Sequence, residues 1–427
     1  MLRRVQEHRP VESILFARAG NNDGCYCPLM LRIKLIALLF VFTAPACGLQ
    51  PKNIPSHRIV GSDNSEIEAV NDVRFGVLGN TRTTIPILDS GKDATRQEKA
   101  SGQIIGDLMW QSQQGALDFV VLLGDMVRFS RDSEWSAFDA QWRDLLDGES
   151  VPEMQGRRIP TMPVAGDREA VLDERLQGFG GAFPGVGASI GFNRVASWYH
   201  IDQKIGQAKW RFLVVDTNKD GLGSRWREQL FWLPQAASGD YDHLIVFMHD
   251  SRITLTSDGE MNPDGVPQEL IELIEQHAGL MKLRVVFSAG GHSSEIYLPE
   301  GRLGTAYVGA GGGGPKAATL RRWGDGTRAG MEAIQLEPRF DLALQGVLAR
   351  REGLSQSVMD EARAEGDWDG FIGRYNSKHF PLSGYWLVDI QNDTLRLGFR
   401  LVGPTGALEE IYSLSYRSKE GWSASSQ

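Results

Sequence analysis

Cysteine is scarce in this chain. The 427 residues include three cysteines, Cys25, Cys27 and Cys47, and all of them lie in the first 47 residues. The rest of the chain therefore contains neither an internal disulfide nor a metal site built from thiolates.

Positive charge is also in deficit. Lys and Arg number 45 against 54 Asp and Glu, which gives a formal net charge of −9. An acidic protein repels phosphate backbones, so we do not expect a nucleic acid as partner. Hydrophobic residues make up 41% of the chain and charged residues 23%, which excludes a disordered, collagen-like or coiled-coil protein. The length allows two or three domains, or one large α/β domain.

No apolar run near the N-terminus is long enough to span a bilayer, which takes about 20 residues. The run Leu35–Phe42 follows Arg32 and Lys34 and precedes Ala44-Pro45-Ala46-Cys47. Basic residues, a short apolar stretch and small residues before a break are typical of a secretory signal. We therefore predict a signal segment over residues 1–46 and export to a bacterial periplasm or envelope.

Two interpretations of Cys47 stay open. Ala44 and Ala46 suit an ordinary signal peptidase, whereas the cysteine directly after them resembles a lipoprotein site. In a lipoprotein Cys47 would be acylated and would attach the protein to the membrane, although Ala44 stands where such sites usually have leucine. Residues 1–29 are unusual before a signal, so Met30 is an alternative start, and an uncleaved anchor is the remaining alternative.

Beyond a predicted linker at residues 47–70, short apolar runs alternate with segments of helical periodicity. The predicted strands are Arg74–Gly79, Phe119–Leu123, Thr161–Ala165, Trp210–Val215, His243–Met248 and Leu283–Ser288. The predicted helices are Ala94–Gln113, Glu134–Leu146, Ser224–Ala236 and Pro267–His277. Continuous apolar strands are typical of sheets that are covered on both faces, so we predict an α/β core with layered sheets over residues 71–337.

The C-terminal part has a different pattern. Residues 338–380 are predicted to form a helical insertion or flap. Tyr385–Ile390 and Thr394–Phe399, joined by Gln391-Asn392-Asp393, predict a closing hairpin within residues 381–427.

Polar residues follow several of the predicted strands, at the place where open α/β sheets bind ligands. Asn80-Thr81-Arg82 follows the first strand, Gly124-Asp125-Met126-Val127-Arg128 the second, and Gly166-Asp167-Arg168-Glu169 the third. His249-Asp250 and Gly291-His292-Ser293-Ser294 come later in the chain.

In order and spacing these segments resemble the motifs of the calcineurin-like metallophosphoesterases. The family pattern is Asp-x-His, Gly-Asp, Gly-Asn-His-(Asp/Glu), a lone His and Gly-His-x-His, each after a strand. The resemblance runs from about residue 72 to about residue 315, and Tyr307–Gly314 resembles the family's glycine-rich strand and turn. It implies a sandwich of two β-sheets flanked by helices that hydrolyses phosphoric esters at two metal ions.

The resemblance also implies two ligand sets that share one aspartate. The first set would be Asn80, Arg82, Asp125 and Ser294. The second set would be Asp125, Asp167, His249 and His292. Arg82 has no lone pair to donate and stays protonated, so it repels a cation, and the neutral amide and hydroxyl beside it bind metals weakly. We therefore expect the first metal site to be lost, as in a degenerate member of the family.

The second ligand set keeps two carboxylates and two imidazoles. Such a set suits one divalent ion, Zn²⁺ or Mn²⁺. The alternative is that these four side chains are satisfied by hydrogen bonds and hold no metal.

Three arginines surround the lost cation. Arg168 stands where the family has the histidine that protonates the leaving group, and Arg128 stands where purple acid phosphatases have a tyrosine ligand. A guanidinium cannot transfer a proton near neutral pH, but it can hold a phosphate. We predict Arg82 and Arg168 as catalytic residues and Arg82, Arg128 and Arg168 as anion-binding residues; the alternative is a set of salt bridges that fills the vacated site.

Two functions stay open from the sequence. One is a slow phosphoric-ester hydrolase that works with one metal ion. The other is a non-catalytic protein that keeps the fold to bind an anion or an envelope partner. The substitutions favour a hydrolase scaffold of reduced or lost activity, and the expected ligand is a phosphorylated small molecule or another anion.

Overall fold

A computed structural model of the chain describes residues 69–82, 92–147, 159–183, 197–251, 266–279, 281–290, 294–299, 304–313, 334–336, 383–402 and 407–424. The predicted signal segment, most of the linker, His292 and the helical insertion at 338–380 lie outside these residues and stay predictions. Within the described ranges, no helix is both long enough and apolar enough to cross a membrane.

Strands and helices alternate through the first part of the described chain. The strands are β1 (Asp72–Leu78), β2 (Phe119–Leu122), β3 (Thr161–Pro163), β4 (Tyr199–Ile205), β5 (Ala208–Val214), β6 (His243–Phe247), β7 (Leu283–Ser288), β8 (Ser294–Pro299), β9 (Ala306–Ala310), β10 (Ile334–Leu336), β11 (Gly384–Gln391), β12 (Thr394–Val402), β13 (Leu408–Arg417) and β14 (Gly421–Ala424). The α-helices are α1 (Lys92–Gln113), α2 (Asp132–Asp147), α3 (Asp167–Ala170), α4 (Gln177–Ala182), α5 (Lys219–Leu222), α6 (Arg225–Ala237) and α7 (Val266–Ala278).

These strands form two mixed sheets of seven strands each. The first sheet has the order β14-β13-β12-β11-β1-β2-β3, and its parallel part is β1, β2 and β3. The second has the order β10-β8-β9-β7-β6-β5-β4, and its parallel part is β5, β6, β7 and β9. The predicted fold class, an α/β protein with two β-sheets flanked by helices, is confirmed.

The two sheets pack face to face over an aromatic core. Phe75 of β1 and Phe119 of β2 stack with ring centroids 4.6 Å apart, and the edge of Phe75 meets Phe212 of the second sheet at 5.8 Å. On the outer faces, Ile104 and Leu108 of α1 pack in one apolar cluster with β2, and α6 and α7 pack in another with β5, β6 and β7. Burial of both faces explains why the central strands are continuously apolar.

Four aromatic side chains also join the sheets by hydrogen bonds to backbone carbonyls. The indole N–H groups of Trp210, Trp386 and Trp422 donate to the carbonyls of Asn392, Gly309 and Gly304, at 2.7, 2.9 and 2.8 Å. The hydroxyl of Tyr199 donates to the carbonyl of Pro163 at 2.9 Å. Each bond satisfies the polar atom of a large ring that otherwise lies between the apolar faces.

In the C-terminal part, β11 and β12 pair as an antiparallel hairpin. β11 extends one residue beyond the predicted strand at each end, and β12 extends to Val402. Residues that were predicted only as a tail form two more strands, β13 and β14. Three of the four outermost strands, β3, β10 and β14, have three, three and four residues.

Candidate metal centre

The candidate site lies where the two sheets present the carboxyl ends of their parallel strands. Asn80 to Arg82 follow β1, Asp125 follows β2, and Asp167 begins α3 just after β3. His249 follows β6 of the second sheet. These residues therefore all follow, or directly continue from, the carboxyl ends of strands that run parallel in their sheets.

Three of the four predicted metal ligands are close together. Ligand atoms of Asp125, Asp167 and His249 all lie within 4.8 Å of one another. Nε2 of His249 is 3.5 Å from Oδ1 of Asp125 and 3.3 Å from Oδ1 of Asp167. The side chains of Asp125 and His249 are 3% exposed and that of Asp167 is 53% exposed, so the group is open to solvent on the Asp167 side. This group could hold one metal ion.

A backbone carbonyl orients the imidazole of His249 on the side away from the carboxylates. Its Nδ1 lies 2.7 Å from the carbonyl oxygen of Leu123. A carbonyl can only accept, so Nδ1 carries the hydrogen and donates it. The lone pair of the neutral ring is then on Nε2, which faces the two carboxylates. A histidine that ligates a metal through one nitrogen usually donates from the other nitrogen in this way.

Without a metal, Asp125, Asp167 and His249 shift one another's pKa values. Burial lowers the pKa of His249, but Asp125 and Asp167 more than offset that effect and raise this pKa to about 10. The hydrogen bond from His249 holds the pKa of Asp167 well below its usual range. Burial and the neighbouring Asp167 raise the pKa of Asp125, against the opposing effects of His249 and Arg82. A divalent ion would take over the role of the proton between these groups.

Two of the three predicted arginines contact the carboxylates. Nη1 of Arg82 is 3.5 Å from Oδ2 of Asp125, and the backbone N–H of Arg82 donates to the carbonyl of Asp125 at 3.0 Å. Nε of Arg168 is 4.0 Å from Oδ2 of Asp125 and 3.9 Å from Oδ2 of Asp167. Arg82 is buried, whereas the Arg168 side chain is 40% exposed. The structure positions Arg128 through its backbone, whose N–H donates to Oε2 of Glu134 at 2.6 Å.

The other positions of the predicted first metal set, Asn80 and Ser294, are neutral; Asn80 is buried and Ser294 is half-buried. Nδ2 of Asn80 donates to the carbonyl of Ala289 at 2.7 Å. Oδ1 of Asn80 and Oγ of Ser294 have no hydrogen-bond partner within the part of the chain that the structure describes. His292, the fourth predicted ligand of the second set, lies outside that part.

Glu169, the last residue of the motif Gly166-Asp167-Arg168-Glu169, has a role in the site that the sequence did not predict. Glu169 is fully buried and accepts hydrogen bonds from the backbone of both loops that carry the aspartates. Burial and the nearby Asp125 raise its pKa to about 7. Glu169 stands at the Asp/Glu position of the third motif, but the sequence does not display its role, because three of its four partners are backbone N–H groups of the loop after β2.

Comparison with known proteins gives a likeness of fold. No protein-family model matches the sequence, and no curated protein matches it. Among solved structures, PhoD is 12% identical, with 85% of this chain and 73% of PhoD covered and a TM-score of 0.47. A purple acid phosphatase from yellow lupin is 16% identical (83% and 54% covered, TM-score 0.43). A dimetal phosphatase from Danio rerio is 11% identical (79% and 98% covered, TM-score 0.43).

The chain spans about half the length of the lupin enzyme. The structural neighbours are calcineurin-like metallophosphoesterases, the family that the sequence motifs resemble.

Proposed function

We propose that this chain is an exported protein of metallophosphoesterase fold that binds one divalent metal ion and a phosphoryl anion and hydrolyses phosphoric esters slowly. One observation carries the proposal. The two oxygens of the Asp125 carboxylate face different partners: Oδ1 is 3.5 Å from His249 Nε2, and Oδ2 is 3.5 Å from the Arg82 guanidinium at Nη1. One side suits a metal ion and the other is already neutralised by a fixed positive charge.

The donor set fits a single metal ion. Asp125, Asp167 and His249 would hold it, with His292 as the proposed fourth ligand, and the mixture of imidazole and carboxylate suits Zn²⁺ or Mn²⁺. The orientation of His249 by Leu123 supports this assignment. When bound, such an ion supplies positive charge that polarises a phosphoryl oxygen and lowers the pKa of water.

The arginines would bind the rest of the anion. A guanidinium is planar and always charged, and it can hold two phosphoryl oxygens at once. Arg168 is half-exposed beside the open Asp167, so it would meet a ligand that enters from solvent. Arg82 is buried against Asp125, and its charge would stabilise the same anion from the buried side of the site.

The same arginines limit the chemistry. Neither can protonate a leaving group near neutral pH, because a guanidinium does not lose its proton there. Removal of one preorganised donor from an active site costs roughly 10²–10³ in rate. We therefore expect turnover only of esters with good leaving groups, such as an activated phosphodiester.

Metal content and turnover test the proposal together. The purified protein should bind about one Mn²⁺ or Zn²⁺ per chain and hydrolyse an activated phosphodiester slowly with added Mn²⁺. His249→Ala should lose the metal and the turnover, whereas His277→Ala, which changes an exposed histidine on α7, should keep both. Two metal ions per chain, or neither metal nor turnover, would contradict the proposal.

A second function is favoured by Arg168, which stands where a leaving-group acid is expected. In that case the protein would bind a metal ion and an anion without hydrolysis. Calorimetric titration of the Mn²⁺-loaded protein with inorganic phosphate, alongside the turnover assay, separates the two. Phosphate binding with no turnover would assign the protein as a non-catalytic binding protein.

Export and attachment through Cys47 belong to the same proposal. The supporting feature is the apolar run Leu35–Phe42 with its basic and small flanking residues. Radiolabelled palmitate should enter the wild-type protein and not Cys47→Ala if Cys47 is acylated. A signal-less variant that starts after Cys47 should stay inside the cell.

A further inference from the structure

Glu169 lies beneath the candidate metal centre and binds the backbone of both aspartate loops. Its Oε2 accepts from the N–H groups of Gly166 at 2.8 Å and Asp125 at 3.0 Å. Its Oε1 accepts from the N–H groups of Met126 at 2.7 Å and Val127 at 3.3 Å. Both oxygens are therefore committed to backbone donors, and Glu169 is not itself a candidate ligand.

The loop after β2 needs such an external partner. Asp125 has φ = 53°, and the preceding Gly124 has φ = 81°. A left-handed backbone at a residue with a side chain is unfavourable and persists only where the surroundings fix it. The N–H groups of Asp125 and the two residues after it end on the Glu169 carboxylate, which holds the loop in the conformation that aims Asp125 at His249.

The loop after β3 packs against the loop after β2 at Gly124 and Asp125. A Cβ on Gly124 would lie 2.6 Å from the nitrogen of Gly166, and a Cβ on Gly166 would lie 2.8 Å from the nitrogen of Asp125. The two loops thus touch backbone to backbone. Glu169 bonds to both sides of this contact, and it stands two residues after Asp167 on the short helix α3.

We propose that Glu169 is a positioning residue that sets the relative placement of the Asp125 and Asp167 carboxylates and thereby the metal affinity of this pair. The inference rests on the proposed metal binding. A carboxylate suits this place because it offers acceptors only, and four backbone N–H groups converge on it. Partners of this kind behind metal ligands are worth 10- to 100-fold in metal affinity.

Cobalt titration of Glu169 variants tests the inference. Co²⁺ serves as probe because its visible absorption reports the geometry of its ligands. Glu169→Gln places an NH₂ group against backbone donors, so Co²⁺ affinity should fall about tenfold or more and the visible spectrum should change. Glu169→Asp keeps the charge on a shorter side chain, and it should recover part of the affinity and of the spectrum.

Asp107→Asn is the matched control. Asp107 is a partly buried carboxylate of α1 that accepts from Arg400 at 2.8 and 2.9 Å and from Tyr385 at 2.5 Å, so its partners belong to β11 and β12 and not to either aspartate loop. Its variant should lose stability to urea but keep the wild-type Co²⁺ affinity and spectrum. If Glu169→Gln also keeps both, or if Asp107→Asn loses both to the same extent, the inference is wrong.

Amide hydrogen exchange covers the remaining outcomes. In the metal-free wild type the amides of Asp125, Met126 and Val127 should exchange slowly, and in Glu169→Asp they should exchange faster while the amides of β7 stay protected. If Glu169→Gln does not fold, this comparison decides the inference, and equal exchange in both proteins overturns it. If the wild-type protein binds no Co²⁺, the proposed function is wrong. If the amides of the loop after β2 exchange equally fast in the wild type and in Glu169→Asp, the positioning role is wrong, whatever the result for the metal.

Discussion

Arg82 has two opposite effects on this site, because its positive charge lies where the resemblance implies a ligand of a first metal ion. Its guanidinium contacts Oδ2 of Asp125 and is 5% exposed, so it neutralises a buried carboxylate in the metal-free protein. The same positive charge lies close to the place where a metal ion would bind. Arg82 should therefore stabilise the protein without metal and weaken the binding of the metal.

Arg82→Met separates these two effects. The metal-free protein should lose about 1–3 kcal/mol of unfolding free energy, because Asp125 loses a buried partner. Affinity for Mn²⁺ should rise about tenfold or more, because a nearby positive charge is removed from a poorly solvated site. Urea unfolding in a chelator and Mn²⁺ calorimetry measure the two quantities.

Arg211→Met is the control for Arg82. Arg211 is equally well buried and pairs with Asp202 at 2.6 Å on the edge of the second sheet. Its loss should lower stability and leave Mn²⁺ affinity unchanged. A fall in Mn²⁺ affinity in Arg82→Met would show that Arg82 supports the metal rather than replacing one.

We expect His243 to make the unfolding free energy of the protein depend on pH. Its ring is 4% exposed, lies 4.3 Å from the ring of Trp210, and accepts a hydrogen bond from Arg284 Nε at 3.0 Å. Burial and the Arg284 charge lower the pKa of His243 to about 4. In the unfolded chain this pKa is about 6.5, so between pH 6.5 and pH 4 the unfolded state binds more protons. Unfolding free energy should therefore fall as the pH is lowered through this window.

The variant His243→Gln should flatten that part of the stability profile, since glutamine keeps an acceptor for Arg284 but cannot ionise. Urea unfolding at pH 7, 6, 5 and 4 gives the profile. His277→Gln, at an exposed position of α7, should leave the slope as it is. An unchanged slope in His243→Gln would assign the acid sensitivity to other groups.

The sequence predicted the members of the site better than their environment. Asp125, Asp167 and His249 each follow an apolar strand, and their assignment as metal ligands came from the resemblance of these segments to the family's motifs. Glu169 was missed as a functional residue because its role depends on burial and on four backbone N–H groups, none of which a sequence pattern displays. For Arg82 the sequence left two interpretations open, anion binding and a salt bridge in the vacated site, and in the structure its guanidinium lies 3.5 Å from Asp125.

At the scale of elements, apolar strands and periodic helices were predicted to within about three residues at their ends. β7 was predicted with its observed bounds, Leu283–Ser288. β13 was missed because Leu408–Arg417 mixes apolar with charged and polar residues, as expected of a strand near a sheet edge with one wet face. The short helices α3 and α5 have four residues each, too few for a periodic pattern.

The aromatic hydrogen bonds between the sheets give a prediction at this scale. Trp386 of β11 is fully buried and donates to the carbonyl of Gly309 in β9. Trp386→Phe keeps an aromatic ring in the core but loses the donor and some volume, so unfolding free energy should fall by about 1–3 kcal/mol. Trp110→Phe, at an indole that is 53% exposed, should change it by less than about 0.5 kcal/mol. Equal effects in a urea titration would refute the importance of the bond.

At the scale of the whole molecule, the candidate metal centre joins the two sheets. Asp125 and Asp167 follow strands of the first sheet, whereas His249 follows β6 of the second. A bound ion would therefore link elements that are otherwise held together by the aromatic core. Metal binding and the unfolding of the protein should be coupled.

Thermal unfolding measures this coupling. Zn²⁺ or Mn²⁺ at about 100 times its dissociation constant should add about 2.7 kcal/mol to the unfolding free energy and raise the melting temperature. Chelator should reverse the shift. His249→Ala should show no metal-dependent shift, and a full shift in that variant would place the ion elsewhere in the protein.

The short outermost strands bear on how the protein behaves when it is concentrated. Within the described residues, β3, β10 and β14 have three, three and four residues, and β3 ends on Pro163. The longer border strand β4 carries Asp202 and Lys204, whose charges discourage an added strand. As far as the described residues go, these border strands offer few unpaired backbone groups to an added strand, so we expect them not to start aggregation at high protein concentration.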